Sequence, residues 1–128
     1  MEFVDKQLAL KLKEKGFDRP CLGFYNPIQD ELQLYCANNK DVTYKNILTS
    51  VYKNKVLVDA PTIDQVLEWL REEKNRYISI DVCKGFDDFI FAHEITSVGG
   101  KWREDNHYYD SYDDAILAGI KFVVEHLI

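Results

Sequence analysis

Two strand-like runs joined by a short turn constrain this sequence more than any other feature. Residues 76–83 place isoleucine and valine side chains at every second position, which is the pattern of a β-strand with one packed face. Residues 88–96 form a second β-prone run with large apolar side chains on both sides. The intervening residues, 84–87, include a glycine suited to a turn. The pattern predicts an antiparallel hairpin at the centre of a sheet.

Amphipathic helices are predicted where apolar side chains recur three or four residues apart. These segments are residues 3–15, 42–53, 63–74 and 112–127. Gly16 is expected to end the first helix, Thr62 and Gln65 form a capping box before the third, and Ser111 caps the last. The predicted packed face of the third helix consists of Ile63, Val66, Leu67 and Leu70, with Trp69 at its edge.

A second hairpin is predicted between residues 21–25 and 31–35, because the segment between them contains turn-forming Pro27 and Asp30. Residues 55–59 read as a short strand or extended link. With 128 residues, 46% of them hydrophobic, the chain has the size and composition of one domain. We therefore expect a single α+β domain over residues 1–128. Its mostly antiparallel, single-layer sheet comes from two hairpins, with helices packed on one face.

The charge balance and the absence of common motifs exclude several function classes. A net charge of −6 disfavours nucleic-acid binding, although lysines and tyrosines alternate within residues 40–55. No apolar run approaches the length of a membrane span, and acidic residues near the start do not fit a secretory signal, so we expect a cytoplasmic protein. Cys21, Cys36 and Cys83 form no C-x-x-C pair. Phosphate-binding, zinc-protease and hydrolase motifs are missing, so the sequence favours a non-enzymatic role and predicts no cofactor.

The segment over residues 102–114 is both aromatic and acidic, which is typical of a recognition surface. Its predicted binding residues are Trp102, His107, Tyr108, Tyr109 and Tyr112. The alternative interpretation places the aromatic rings in the core and the acids at the start of the last helix, where the helix dipole favours negative charge. The same segment offers a metal-binding alternative, whose candidate ligands are His107, Asp110 and Asp114.

Two stretches in the second half carry a resemblance. Residues 60–72 begin with Ala-Pro-Thr and end with Trp-Leu-Arg-Glu. Residues 109–120 contain Ser-Tyr-Asp-Asp-Ala at 111–115 and are followed by Glu-His-Leu-Ile at 125–128. In these stretches the chain resembles small uncharacterised proteins of Bacteroidetes genomes, many of them in phage or prophage regions. The resemblance implies a mobile-element, cytoplasmic context and brings no known activity or catalytic residue.

Three functional hypotheses follow from the sequence. The first is a non-enzymatic accessory protein of a phage or mobile element that contacts a protein partner through the aromatic and acidic segment. The second is a metal-dependent hydrolase or nuclease, and the third is an acidic nucleic-acid mimic that blocks a basic host protein. Residues 1–60 carry nine basic and eight acidic side chains, whereas residues 61–128 carry seven and fourteen. This asymmetry suggests a homodimer held by complementary charge.

Overall fold

The computed structural model describes residues 2–28, 30–35, 57–85, 88–103 and 108–128, with Arg103 described by its backbone alone. The chain divides into two compact units, Met1–Gln65 and Val66–Ile128. The helix predicted over residues 42–53 and the basic segment at residues 40–55 lie outside the described residues. No helix in the described parts of the chain is long and apolar enough to cross a membrane.

The first helix, α1 (Lys6–Glu14), ends just before Gly16, as the sequence predicts, but it begins three residues later than the predicted Phe3. The Asp5 carboxylate accepts a hydrogen bond from the Leu8 amide at 2.8 Å, which satisfies one of the free donors of the first turn. At the other end, Gly16 adopts a φ of +93°, and the Phe17 amide donates to the Leu12 carbonyl at 2.9 Å. Glycine adopts this left-handed conformation at little cost, so it ends the helix.

The first unit also contains a three-stranded antiparallel sheet. The central strand β1 (Gly23–Tyr25) pairs with β2 (Leu32–Leu34) on one side and with β3 (Val58–Ala60) on the other. The β1–β2 pair confirms the hairpin predicted from residues 21–25 and 31–35, and β3 confirms the short strand predicted at residues 55–59. The hydroxyl of Tyr25 donates to the Val4 carbonyl, which ties this sheet to the residue before the α1 cap.

The second helix, α2 (Ile63–Lys74), starts at the predicted capping box. The Thr62 amide donates to Gln65 Oε1 at 3.0 Å, and the Gln65 amide donates to Thr62 Oγ1 at 3.3 Å. The predicted packed face needs one correction. The indole of Trp69 is 2% exposed, whereas Leu67 is half-buried, so the packed stripe is rotated toward Trp69.

The second unit contains another three-stranded antiparallel sheet, in the order β4 (Tyr77–Lys84), β5 (Phe89–Ser97) and β6 (Gly100–Arg103). The β4–β5 pair confirms the predicted hairpin. The sequence pattern does not predict β6, because glycines at 99 and 100 are typical of the end of a strand. Gly99 instead lies with Val98 in a tight turn, and Gly100 begins β6, which this turn brings back alongside β5.

The last helix, α3 (Tyr112–His126), packs on β4 and β5. Ser111 caps it as predicted, since its hydroxyl accepts a hydrogen bond from the Asp114 amide at 3.1 Å. The helix lies close to the sheet at Gly119, where a β-carbon would lie 3.0 Å from Ile78 Cγ2 and 3.3 Å from His93 Cγ.

The α+β class and the antiparallel pairing are confirmed. The described strands differ from the prediction in forming two separate sheets and not one. Local sequence patterns identify hairpins, but they do not show whether the strands of one hairpin form hydrogen bonds with the strands of another. The number of sheets therefore cannot be predicted from these patterns.

Candidate functional site

Trp102, one of the predicted binding residues, lies within the packing of the second unit. It stands on β6 directly opposite Ile95, which is 1% exposed. The guanidinium carbon of Arg76 lies 5.9 Å from the centre of the Trp102 ring, within the range of a cation–π contact. The indole is half-buried. These contacts give Trp102 a structural role.

Tyr109 is also held by the fold. Its amide and carbonyl both pair with the backbone of Phe91, at 2.7 and 2.9 Å. Its ring stacks on the buried His93 imidazole, with the ring centres 5.8 Å apart and the planes 29° from parallel. A truncation of Tyr109 would therefore remove core packing along with any contact to a partner.

The other predicted aromatic residues differ in their placement. Tyr112, at the first position of α3, is 53% exposed, and Tyr108 is also exposed. His107 lies outside the described residues. Of the predicted set, Tyr108 and Tyr112 are therefore the described side chains that present a large surface to solvent.

Tyr112 belongs to a cluster that we call the aromatic patch, formed by Val82, Phe89, Phe91 and Tyr112. Val82 and Phe91 are directly opposite each other on β4 and β5, and Phe89 is two residues from Phe91 on the same sheet face. The Tyr112 ring meets the Phe91 ring edge-on, with centres 6.4 Å apart and planes at 86°. Val82 and Phe89 are 57% and 56% exposed, so the patch is a continuous apolar surface.

The position of α3 explains why this surface is open. Along one face of β5, the exposed fraction falls from 56% at Phe89 to 3% at His93 and 1% at Ile95. Gly119 of α3 lies against His93, whereas α3 begins only at Tyr112, beside Phe91. The turn end of the hairpin therefore extends beyond the part that α3 covers.

Sequence reasoning missed Val82 and Phe89 as surface residues. Their alternation marks them as members of the apolar face of the hairpin, and such residues are usually buried. The available signal was length, because β5 spans nine residues and a helix crossing the sheet need not cover all of them. Recognising this requires knowing where the helix crosses, which the sequence pattern does not give.

Charges at the border of the aromatic patch are mostly negative. Among the described residues, exposed carboxylates are close to patch residues along the chain: Asp88 directly precedes Phe89, and Asp113 directly follows Tyr112, with Asp110 and Asp114 two residues on either side of Tyr112. Lys84, opposite Phe89 at the end of β4, is exposed and supplies positive charge at the same border. The surface thus combines an apolar centre with a predominantly acidic rim.

The metal-binding alternative receives no support from the described part of the chain. Within it, no group of three or more His, Cys, Asp or Glu side chains is arranged to hold a metal ion. Asp110 and Asp114 are exposed at the start of α3, and His107 is outside the described residues.

Comparisons of the chain with protein-family models, with curated protein sequences and with solved structures find no match.

Proposed function

We propose that this chain is a non-enzymatic accessory protein that binds a protein partner through the aromatic patch. The observation that carries the proposal is the continuous exposure of Val82, Phe89 and Tyr112 around Phe91. Contiguous exposed apolar surface on a folded chain marks interaction sites, because water around it is released when a partner covers it. Aromatic side chains in addition supply a large, rigid contact area at interfaces.

The rim of the aromatic patch indicates the chemistry of the partner. Exposed carboxylates at Asp110, Asp113 and Asp114 would attract lysine and arginine side chains and repel acidic ones. The partner surface that fits has apolar side chains at its centre and basic residues at its border. Because the charges lie at the rim, they contribute more to association rate and specificity than to affinity.

The proposed setting is the cytoplasm of a cell that carries a phage or another mobile element. This part of the proposal rests on the resemblance in residues 60–72 and 111–115. The structure adds that both segments have a role in the fold, since they contain the capping box of α2 and the N-cap of α3.

The test is affinity capture with three forms of the tagged chain: wild type, the Phe89→Ser/Tyr112→Ser variant and the Val98→Ser control. Val98 is an exposed apolar residue in the β5–β6 turn, away from the aromatic patch. Captured proteins from nuclease-treated bacterial lysate are identified by mass spectrometry. A partner retained by wild type and by the control, but lost by the double variant, supports the proposal. Identical sets from all three forms contradict it.

An acidic nucleic-acid mimic is the second candidate, favoured by the exposed carboxylates at the start of α3. A mimic would depend on negative charge, so binding would be lost in an Asp113→Asn/Asp114→Asn variant and retained in Phe89→Ser/Tyr112→Ser. The aromatic-patch proposal expects the opposite ranking of the two variants. Binding measured at low and high salt adds a further distinction, because a mimic loses affinity steeply as salt rises.

A further inference from the structure

The strand β4 forms one edge of the sheet in the second unit. It is eight residues long, and its second edge pairs with no strand in the described parts of the chain. The outer side of β5, in contrast, is occupied by β6 and by the Tyr109 backbone. A long, open edge presents backbone donors and acceptors that a further strand can use. We propose that β4 pairs antiparallel with β4 of a second copy of this chain, about a two-fold axis at Ile80.

The register follows from the pleat and from charge. In an antiparallel pair, the side chains of two directly opposed residues point to the same face of the sheet. A two-fold axis between two β4 strands therefore places one residue directly opposite the same residue of the second copy. Axes at Ile80 and at Asp81 are nearest the middle of β4, so they pair the largest number of its residues. An axis at Asp81 sets two carboxylates directly against each other, which is destabilising. An axis at Ile80 sets Asp81 opposite Ser79 instead, so charge selects this register.

The same register matches apolar side chains on the face that carries α3. Ile80 opposes its own copy, and Ile78 of each chain opposes Val82 of the other. Val82, more than half exposed in the single chain, gains a branched aliphatic neighbour in this arrangement. On the other face, exposed Tyr77 lies opposite Cys83. The strand is therefore complementary to itself on both faces.

Net charge gives the association a specific salt dependence. Each copy carries −6, so two copies repel at long range and salt weakens that repulsion. Pairing through β4 should thus strengthen as salt rises. A dimer held by attraction between the two differently charged halves of the sequence would weaken under the same conditions.

The experiment substitutes Ser79, which is exposed and lies outside the aromatic patch. In the Ile80 register, Ser79→Asp places a carboxylate opposite Asp81 twice per dimer, and Ser79→Lys places an ammonium there. Sedimentation velocity of the full chain, from micromolar to millimolar concentration, measures the dimer dissociation constant. We expect Ser79→Asp to raise that constant roughly threefold to thirtyfold and Ser79→Lys to lower it by a similar factor. Val98→Asp and Val98→Lys change net charge equally, away from β4, and should have much smaller effects.

Two results would overturn the proposal. One is a wild-type chain that stays monomeric over the whole concentration range at high salt, which would leave the β4 edge for a different partner. The other is a dimer whose dissociation constant changes no more with the two Ser79 substitutions than with the two Val98 substitutions. Amide exchange supplies an independent readout on wild type: β4 amides should exchange more slowly as concentration rises, and unchanged rates would also contradict the pairing. None of these readouts depends on the aromatic-patch partner.

Discussion

At the scale of single residues, Gly119 sets how closely α3 approaches the sheet. Glycine inside a helix normally costs about 1 kcal/mol relative to alanine, so Gly→Ala usually stabilises a helix. Here the added methyl would lie within 3.3 Å of Ile78 and His93, both on packed strands. We expect Gly119→Ala to lower the free energy of unfolding by about 1–3 kcal/mol, because overpacking outweighs the gain in propensity.

Urea unfolding followed by circular dichroism measures this change, with Gly99→Ala as the control. A β-carbon at position 99 would meet nothing closer than 3.8 Å, so the control should differ little from wild type. An increase in stability for Gly119→Ala would show that α3 sits farther from the sheet than the structure places it.

Tyr25 carries a pH dependence at the residue scale. Burial of its phenol, followed by the nearby Asp5 carboxylate, raises the pKa of Tyr25 above its ordinary value. As pH rises, the phenol ionises at a lower pH in the unfolded chain than in the folded chain. Ionisation stabilises the unfolded state, so the free energy of unfolding decreases. The stabilisation that Tyr25 gives to the folded chain is fully present below the pKa of the phenol in the unfolded chain, and it is lost as the pH rises through the higher pKa of the folded chain.

The measurement compares wild type with Tyr25→Phe in urea unfolding from about pH 8 to about pH 11, a range that spans the ordinary tyrosine pKa. Tyr25→Phe removes the hydrogen bond to the Val4 carbonyl, so it should be less stable at pH 8 by about 1 kcal/mol. The difference should shrink as pH rises, since only wild type has the Tyr25 phenol. A constant difference over the whole range would contradict the raised pKa.

At the scale of elements, the N-cap of α3 fixes where that helix starts, and with it the position of Tyr112. The Ser111 hydroxyl accepts from the Asp114 amide, and alanine has no group to replace it. We expect Ser111→Ala to cost about 1 kcal/mol in unfolding free energy, whereas Ser111→Asp, which also caps helices well, should remain near wild type. Equal losses in both variants would show that the Ser111 side chain stabilises the chain by something other than capping α3. The measurement is thermal and urea unfolding of the three forms.

Elements with chemical end signals were the ones that the sequence predicted best. The predicted caps Thr62 and Ser111 directly precede α2 and α3, and their hydroxyl oxygens accept amide hydrogen bonds. Gly16, predicted as the stop signal of α1, has the left-handed conformation found there. The strand β6 carries weaker signals, because it is four residues long and starts at a glycine. Its formation depends on pairing with β5, and such pairing is a tertiary effect that local pattern does not encode.

The candidate site was predictable only in part, for the same reason. An aromatic and acidic segment was recognised, yet Trp102 and Tyr109 within it belong to the packing around Ile95 and His93. The alternation of residues 76–83 places Val82 on the packed face, yet Val82 is open to solvent, and so is Phe89 in the neighbouring strand. Alternation gives the face of a strand, whereas exposure depends on how far the covering helix extends along it.

At the scale of the whole molecule, folding and recognition are assigned to different aromatic residues of one chain, and this separation can be measured. Trp102 is half-buried opposite Ile95 and beside Arg76, so Trp102→Ala should lower the free energy of unfolding by about 2–4 kcal/mol. Phe89 is 56% exposed, so Phe89→Ser should cost less than about 1 kcal/mol.

Partner capture should show the opposite ranking. Trp102→Ala, assayed at a temperature where it remains folded, should retain a partner that Phe89→Ser loses, because hot-spot energy resides in the exposed ring that the partner covers. Stability is measured by urea unfolding and binding by capture of the identified partner. If Phe89→Ser destabilises the chain as much as Trp102→Ala does, the aromatic patch is part of the core and the proposed interaction surface fails. If both variants bind normally, recognition lies elsewhere on the molecule.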